Sequence, residues 1–281
     1  MSVTSSYSVR EVLIDQPIVF LIDRLRRLPF IRHLRQSFED QRFARASGCQ
    51  RLFHGVYESF AQAAAAAPKT KPLHYDDQAF GYQQSHRSVL ASDYPVIFWL
   101  GRLLASCSTL VDFGGNVGMA YYAYQKYLSY PPHISWLVYD LPEIVAAGRS
   151  VRQSEGAPLA LSFTDKIADI DGSDVFLAAG SLQYIPDSLP ELFGKLQNRP
   201  KHLLINKLPI CECASFVTLQ STGTGFSPYQ VTNRHELLRQ LSQLGYSVDD
   251  TWQNPDLKLH IPGQPEHSLD SFSGMYCKQV G

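Results

Sequence analysis

Asp112, Gly114, Gly115 and Gly118 lie close together in the stretch Thr109-Leu-Val-Asp-Phe-Gly-Gly-Asn-Val-Gly118, and that spacing suits a nucleotide. Glycine lets a backbone pass near a ligand where a Cβ would collide, and the N–H groups that open a helix favour a carboxylate or phosphate. A glycine-rich turn also serves plain strand-to-helix packing, so a partner acid is needed. Asp140 supplies one: it ends the apolar run Trp136-Leu-Val-Tyr139, 22 residues after Gly118, where a carboxylate accepts both hydroxyls of a ribose. Asn116 stands where a dinucleotide fingerprint has its middle glycine, and the first strand itself ends in an acid, Asp112. Both features point away from a pyrophosphate.

Other chemistry-bearing residues sit at the ends of later apolar runs. Ser181, Gln183 and Tyr184 follow the run ending at Ala179, Thr164 and Asp165 follow Phe163, and Asn206 and Lys207 follow Ile205. Lys207 can anchor a carboxylate, although a solvated strand end is the more usual meaning. Cys211-Glu212-Cys213 lacks a second Cys or His pair at ligand spacing and reads as loop thiols, so no metal is expected. A lone histidine such as His54, His235 or His267 is more often a hydrogen-bonded surface residue than a base.

To position these groups the chain offers strand-like segments at 109–113, 134–139, 158–163, 173–179, 201–206, 246–251 and 271–279. Helical segments at 117–129, 142–153, 187–197 and 233–244 alternate with them, and a further helix begins near Pro95. Such alternation predicts an α/β, doubly wound, Rossmann-like parallel sheet with its ligand crevice at the carboxyl ends of the strands. The last strand follows a loop holding Pro255, Pro262 and Pro265 rather than a helix, which predicts that it runs antiparallel.

Residues 1–94 read as an N-terminal helical cap with a linker, and 95–281 as the ligand-binding catalytic domain. Residues 8–47 have helical periodicity broken at Pro17 and Pro29, and eight arginines lie between Arg24 and Arg51. A solvated helix face is the usual meaning of such a run; a basic arm binding RNA or an anionic carrier is the alternative. An alanine-rich helix at 61–67 ends at Pro68, and the turn-rich residues 68–94 read as the linker.

A net charge of −1 over 281 residues gives no reason to expect nucleic acid. The apolar run from Pro17 to Ile22, cut by Asp23, is too short for a membrane span or a signal core. Five cysteines, an odd number, suggest a reducing compartment rather than a disulfide framework, so a cytoplasmic protein is expected.

The Asp112-to-Gly118 turn resembles the first motif of class I S-adenosylmethionine (SAM) methyltransferases, and Asp140-Leu141-Pro142 looks like the corresponding step of small-molecule O-methyltransferases. His54-Gly-Val-Tyr57, the Asp112–Gly118 turn, Trp136–Pro142, Gly180–Ile185, Phe216–Gln220, Pro228-Tyr229 and Asn233-Arg234 occur in this order in a bacterial family of SAM-dependent methyltransferases. The resemblance runs from about residue 50 to residue 280. More narrowly, the chain resembles azetidine-2-carboxylate synthases of nonribosomal-peptide pathways, natural-product enzymes that consume SAM itself as substrate.

This resemblance implies a seven-stranded class I fold and a set of roles. Gly114, Gly115 and Gly118 would admit the amino-acid end of SAM, with Asp112 bracing the loop and Ser181 beside it; Asp140 and Leu141 would take the ribose. Thr164 and Asp165 would lie at the adenine. In O-methyltransferases with the Asp-Leu-Pro step, a histidine after the fourth strand takes the acceptor's proton, and Gln183 stands at that position here. A neutral amide is no base near pH 7. Cyclisation of SAM needs little base catalysis, and Asn116 and Gln183 suit an amine or carboxylate without adding charge. Tyr184 is the leading aromatic contact for the sulfonium; Phe113, Tyr121, Tyr122 and Tyr229 are further candidates, although helical aromatics such as Tyr121 and Tyr122 usually serve packing. His54 and Tyr57 would face the ligand from the cap. Methyl transfer to a small O- or N-acceptor and a non-catalytic SAM-binding module are the alternatives. A homodimer through the N-terminal arm and a carrier-protein partner stay open.

Overall fold

The computed structural model describes residues 29–47, 52–73 and 88–280. The helical periodicity at 8–28, Cys49 and residues 74–87 of the linker lie outside them. The described elements, in chain order, are α1 (Pro29–Arg45), β1 (Leu52–Tyr57), α2 (Phe60–Ala65), α3 (Tyr94–Leu103), β2 (Thr109–Phe113), α4 (Met119–Tyr124), β3 (Ser135–Tyr139) and α5 (Pro142–Ser154). They continue with β4 (Leu161–Thr164), β5 (Val175–Ala179), α6 (Leu189–Gly194), β6 (His202–Leu208), β7 (Ile210–Cys211), β8 (Phe216–Ser221), β9 (Phe226–Asn233), α7 (Arg234–Gln243), β10 (Tyr246–Asn254) and β11 (Phe272–Gln279). Helix α1 belongs to one compact unit, residues 1–45, and every later element to a second, residues 46–281.

The main sheet of the second unit has seven strands in the order β10-β11-β6-β5-β2-β3-β4. β4, β3, β2, β5 and β6 run parallel, whereas β11 is antiparallel to both of its neighbours. This strand order, with its reversed penultimate strand, is the class I methyltransferase fold.

Strand alternation divides the core in two. Leu110, Trp136, Val138, Val175, Leu177 and Leu204 point to one face, where Val96, Leu100 and Leu103 of α3 and Val145 of α5 cover them. Val111, Phe113, Phe176, Ala178, Leu203 and Ile205 point to the other, against Leu192 and Phe193 of α6 and Leu237 and Leu241 of α7. Fully burying a side chain of this size stabilises by about 1.5–3 kcal/mol, which fixes the register and so the placement of every strand end.

A second sheet, in the order β1-β8-β9-β7, is assembled from β1 and from the segment between β6 and α7. Sequence patterning does not foresee it. All six residues of β8 are buried, so its apolar positions do not alternate with exposed ones, and β9 carries Pro228 in its interior. Phe53, Phe216, Tyr229 and Val231 form its core together with Leu259, Ile261 and Phe272. His54 and Tyr57, assigned from sequence to a helical cap, therefore stand on a strand, β1, paired with β8.

Candidate functional site

The glycine turn joins β2 to α4 and is shaped by close approaches that only glycine permits. Gly114 has φ +69°, and a Cβ there would stand 2.3 Å from Ser181 Cβ; a Cβ on Gly115 would stand 2.4 Å from the Asp112 carboxyl carbon. The turn thus lies directly on Ser181 and Asp112. Ser181 Oγ donates to the Phe113 carbonyl at 2.5 Å, tying the end of β5 to the end of β2. Gly118 caps α4 in the left-handed region at φ 87°.

Two carboxylates brace the turn from different depths. Asp112 is fully buried and accepts from Trp136 Nε1 at 3.3 Å. Burial raises its pKa to about 7, the indole hydrogen bond works the other way, and the nearby Asp140 charge adds to the rise. Asp140, at the end of β3, accepts from the backbone N–H of Asn116 at 2.8 Å and from that of Leu141 at 2.8 Å. Its pKa too is raised by burial, against the two backbone donors. Each Asp140 oxygen keeps a lone pair for a ligand hydroxyl. Asn116 adopts φ 55°, a left-handed conformation, and its Oδ1 accepts from the Val117 N–H at 2.7 Å. That contact sets the loop's shape, a use of Asn116 that sequence reasoning assigned instead to the ligand.

Around the end of β5 a second group converges. Gln183 is buried; its Nε2 donates to the Tyr229 hydroxyl at 3.3 Å, and its Oε1 has no hydrogen-bond partner among the described residues. A buried orphan acceptor costs about 1–3 kcal/mol unless a ligand donates to it. The Tyr184 hydroxyl donates to Gln220 Oε1 at 2.8 Å, and the Tyr184 ring meets the Tyr229 ring edge-on at 5.0 Å. Gln183 and Tyr184, on the turn after β5, are thereby tied to β8 and β9 of the second sheet.

Next to Gly180, at the end of β6, Lys207 has φ 56°, a conformation that L-residues other than glycine rarely hold. Its Nζ lies 2.7 Å from Asp93 Oδ1. Asp93 is buried, its Oδ1 also accepts from the Tyr124 hydroxyl at 3.2 Å, and its Oδ2 accepts from the Leu90 N–H at 2.9 Å. Asn206 Nδ2 donates to the Ser92 carbonyl at 2.8 Å, and Asn206 Oδ1 accepts from Trp252 Nε1 at 2.9 Å and Asn254 Nδ2 at 3.0 Å.

The remaining expected residues divide. Thr164 is buried and its Oγ1 donates to Asp169 at 2.5 Å, whereas Asp165 is exposed at the end of β4. Tyr121 and Phe113 are core residues rather than crevice walls: Tyr121 packs on Trp136 at 5.5 Å, and Phe113 stacks between Tyr139 at 5.0 Å and Phe176 at 5.3 Å. Helix α4 buries the face that carries Tyr121, and β2's alternation turns Phe113 to the α6–α7 side. Tyr122 lies beside Gly118, with its ring 3.4 Å from where a Cβ would stand. The Tyr57 ring folds over Gly55, and the His54 carbonyl accepts from Thr218 Oγ1 at 3.2 Å. Gln220 and Asp93 were missed from sequence. Asp93 had a local signal, an acid two residues before the proline that opens α3; Gln220 closes the Phe216–Gln220 stretch of the resemblance, but nothing there marks it as a partner of Tyr184.

Among the described residues no cluster of three or more His, Cys, Asp or Glu is placed to hold a metal, and no helix is long and apolar enough to cross a membrane. Cys211 Sγ lies 3.2 Å from the Cys213 carbonyl, and Cys107, Cys211, Cys213 and Cys277 are unbridged.

No protein-family model matches the sequence, and no curated protein sequence matches it. Among solved structures, the chain is similar to the Burkholderia thailandensis 1,6-didemethyltoxoflavin-N1-methyltransferase, bound to 1,6-didemethyltoxoflavin and S-adenosylhomocysteine. That similarity has a TM-score of 0.45 and 18% identity, over 68% of this chain and 79% of that one. A Pyrococcus horikoshii OT3 protein is similar at TM-score 0.48 and 12% identity, over 71% and 93% of the two chains. An O-methyltransferase family protein from Burkholderia thailandensis is similar at TM-score 0.43 and 14% identity, over 67% of this chain and 56% of its own.

Proposed function

We propose that this chain binds SAM across the ends of β2, β3 and β5 and converts it to azetidine-2-carboxylate, releasing methylthioadenosine. The glycine turn would admit the amino-acid end, Asp140 would take the ribose hydroxyls, and the Thr164–Asp165 end of β4 would border the adenine. The observation that carries the reaction is Gln183, a buried neutral amide where related O-methyltransferases place a histidine base, with its Oε1 unpartnered.

In the cyclisation the α-amine nitrogen attacks the γ-carbon. The N–Cγ bond forms as the Cγ–S bond breaks, and the electron pair of that bond neutralises the sulfonium as methylthioadenosine leaves. The nitrogen must start as a free amine, its proton having gone to solvent. Low-polarity, uncharged surroundings favour that neutral form, whereas a carboxylate beside it would hold the ammonium. Gln183 Oε1 would accept an N–H and orient the lone pair, and orientation of this kind supplies much of an intramolecular rate enhancement. The face of Tyr184 would stabilise the sulfonium by about 0.5–2 kcal/mol, whereas Tyr229, also expected at the sulfonium, is a buried core residue that holds Gln183.

Methyl transfer to a small O- or N-acceptor is the second reading, and the ionisable Lys207–Asp93 pair at the neighbouring strand end favours it, since such a pair suits recognition of a polar acceptor. Incubating the purified protein with SAM alone separates the two. Cyclisation yields methylthioadenosine and azetidine-2-carboxylate in equal amounts, above the uncatalysed background and abolished in Tyr184→Ala. SAM that is bound but left intact sinks the cyclase reading.

A further inference from the structure

Lys207 combines three features that a solvated strand end does not need. Its backbone occupies the left-handed region at φ 56° without being glycine. Strain of this kind costs about 1–3 kcal/mol and persists where surrounding contacts over-determine it, most often at ligand sites. Those contacts are present: the preceding residue, Asn206, is held by Ser92, Trp252 and Asn254, and the Lys207 ammonium is held by Asp93.

The second feature is position. Ala179 pairs with Asn206 across β5 and β6, so Gly180, just past the end of β5, lies beside Lys207, where β6 bulges against β11 with Asn206 and Lys207 opposite Gly274. A Cβ built on Gly180 would lie 3.5 Å from Lys207 Cβ and 3.7 Å from Gln183 Nε2. The Lys207 stem and the buried Gln183 amide therefore flank one small residue, Gly180. The third is exposure. The Lys207 side chain is 20% accessible while Asp93 is 7% accessible, so the ion pair is sealed on the aspartate side and open on the lysine side. An ammonium has three N–H donors, and the contact with Asp93 engages one of them.

We infer that Lys207 is the anchor for the carboxylate of SAM itself, with Gln183 Oε1 taking the α-amine of the same ligand. This rests on the reading of the crevice as a SAM site. The two groups together match a zwitterionic α-amino acid end: a cation for the carboxylate and a neutral, otherwise unsatisfied acceptor for the amine. The placement has a mechanical consequence. A carboxylate drawn to Lys207 folds the aminobutyryl arm from the glycine turn across Gly180, and a folded arm is what attack of nitrogen on the γ-carbon requires.

The test compares calorimetric affinities of the full chain for SAM and for decarboxylated SAM, which keeps the sulfonium, the arm and the amine. The wild-type protein should bind SAM at least about tenfold more tightly, the scale of one charge-assisted hydrogen bond. Lys207→Met should erase that preference, weakening SAM at least about tenfold while decarboxylated SAM changes less than about twofold. Because Lys207→Met leaves Asp93 buried without its cation, the double variant Lys207→Met/Asp93→Asn is measured in parallel and should give the same loss of preference. A preference that survives in the folded double variant, or is absent from the wild type, overturns the inference while leaving SAM binding standing. If neither ligand binds the wild type, the inference and the SAM reading fall together.

Discussion

The Tyr184 hydroxyl donates to Gln220 Oε1 at 2.8 Å, joining the turn after β5 to the C-terminal end of β8. Gln220 is almost wholly buried, so its carbonyl loses the bond without replacement if the hydroxyl is removed. Tyr184→Phe should destabilise the protein by about 1–3 kcal/mol, measured as a lower urea midpoint at unchanged slope. It keeps the aromatic face, so product formation should fall far less than in Tyr184→Ala.

Asp140 is held ready by two backbone donors rather than by a cation. Asp140→Ala removes the acceptor for the ribose hydroxyls and frees the Asn116 N–H, and SAM affinity measured by calorimetry should drop at least about tenfold. An unchanged affinity would place the ribose elsewhere.

Gly115 gives a purely steric test, because a Cβ there would stand 2.4 Å from the Asp112 carboxyl carbon. Gly115→Ala must displace either the turn or a buried carboxylate, and it should cost about 1–3 kcal/mol together with most of the SAM binding. Gly156→Ala is the contrast: that glycine has φ +61° but nothing within 4 Å of a Cβ, so its strain should lower stability without touching ligand affinity.

Asp112 carries a pH prediction. Burial raises its folded pKa to about 7, above its unfolded value, so the folded state binds the extra proton between the two. Its contribution is fully present below the unfolded pKa and is lost as pH rises towards about 7. The stability difference between Asp112→Asn and wild type should therefore grow in favour of the variant as pH rises from about 4 to 7, by up to about 1.4 kcal/mol per pH unit, and level off above. A difference that stays flat across this window contradicts the assignment.

How much of this could be read from sequence depended on whether the signal was local. The main sheet was legible because its strands are apolar runs closed by Asp112, Asp140 or a glycine, and because the proline-rich loop before β11 excluded a crossover helix. The glycine turn and Asp140 were legible for the same reason. The second sheet was not: β8 is buried at every position, β9 contains Pro228, and β1 reaches β8 only after most of the chain has folded between them. Phe113, a candidate for the crevice wall, and Tyr121, a candidate there with packing its more usual role, both lie in the core, because an aromatic residue next to a glycine turn looks the same whether it faces the ligand or the core. The left-handed backbone of Lys207 and its ion pair with Asp93 have no sequence signature, since they arise from where β6 ends against the start of α3.

The most direct test follows one carbon through the reaction. SAM labelled with carbon-13 in the S-methyl group is turned over by the purified protein without any added acceptor and observed by carbon NMR. Cyclisation predicts that the label stays on sulfur in methylthioadenosine and that unlabelled azetidine-2-carboxylate forms in equal amount. SAM that stays intact, with the label still on the sulfonium, would contradict it.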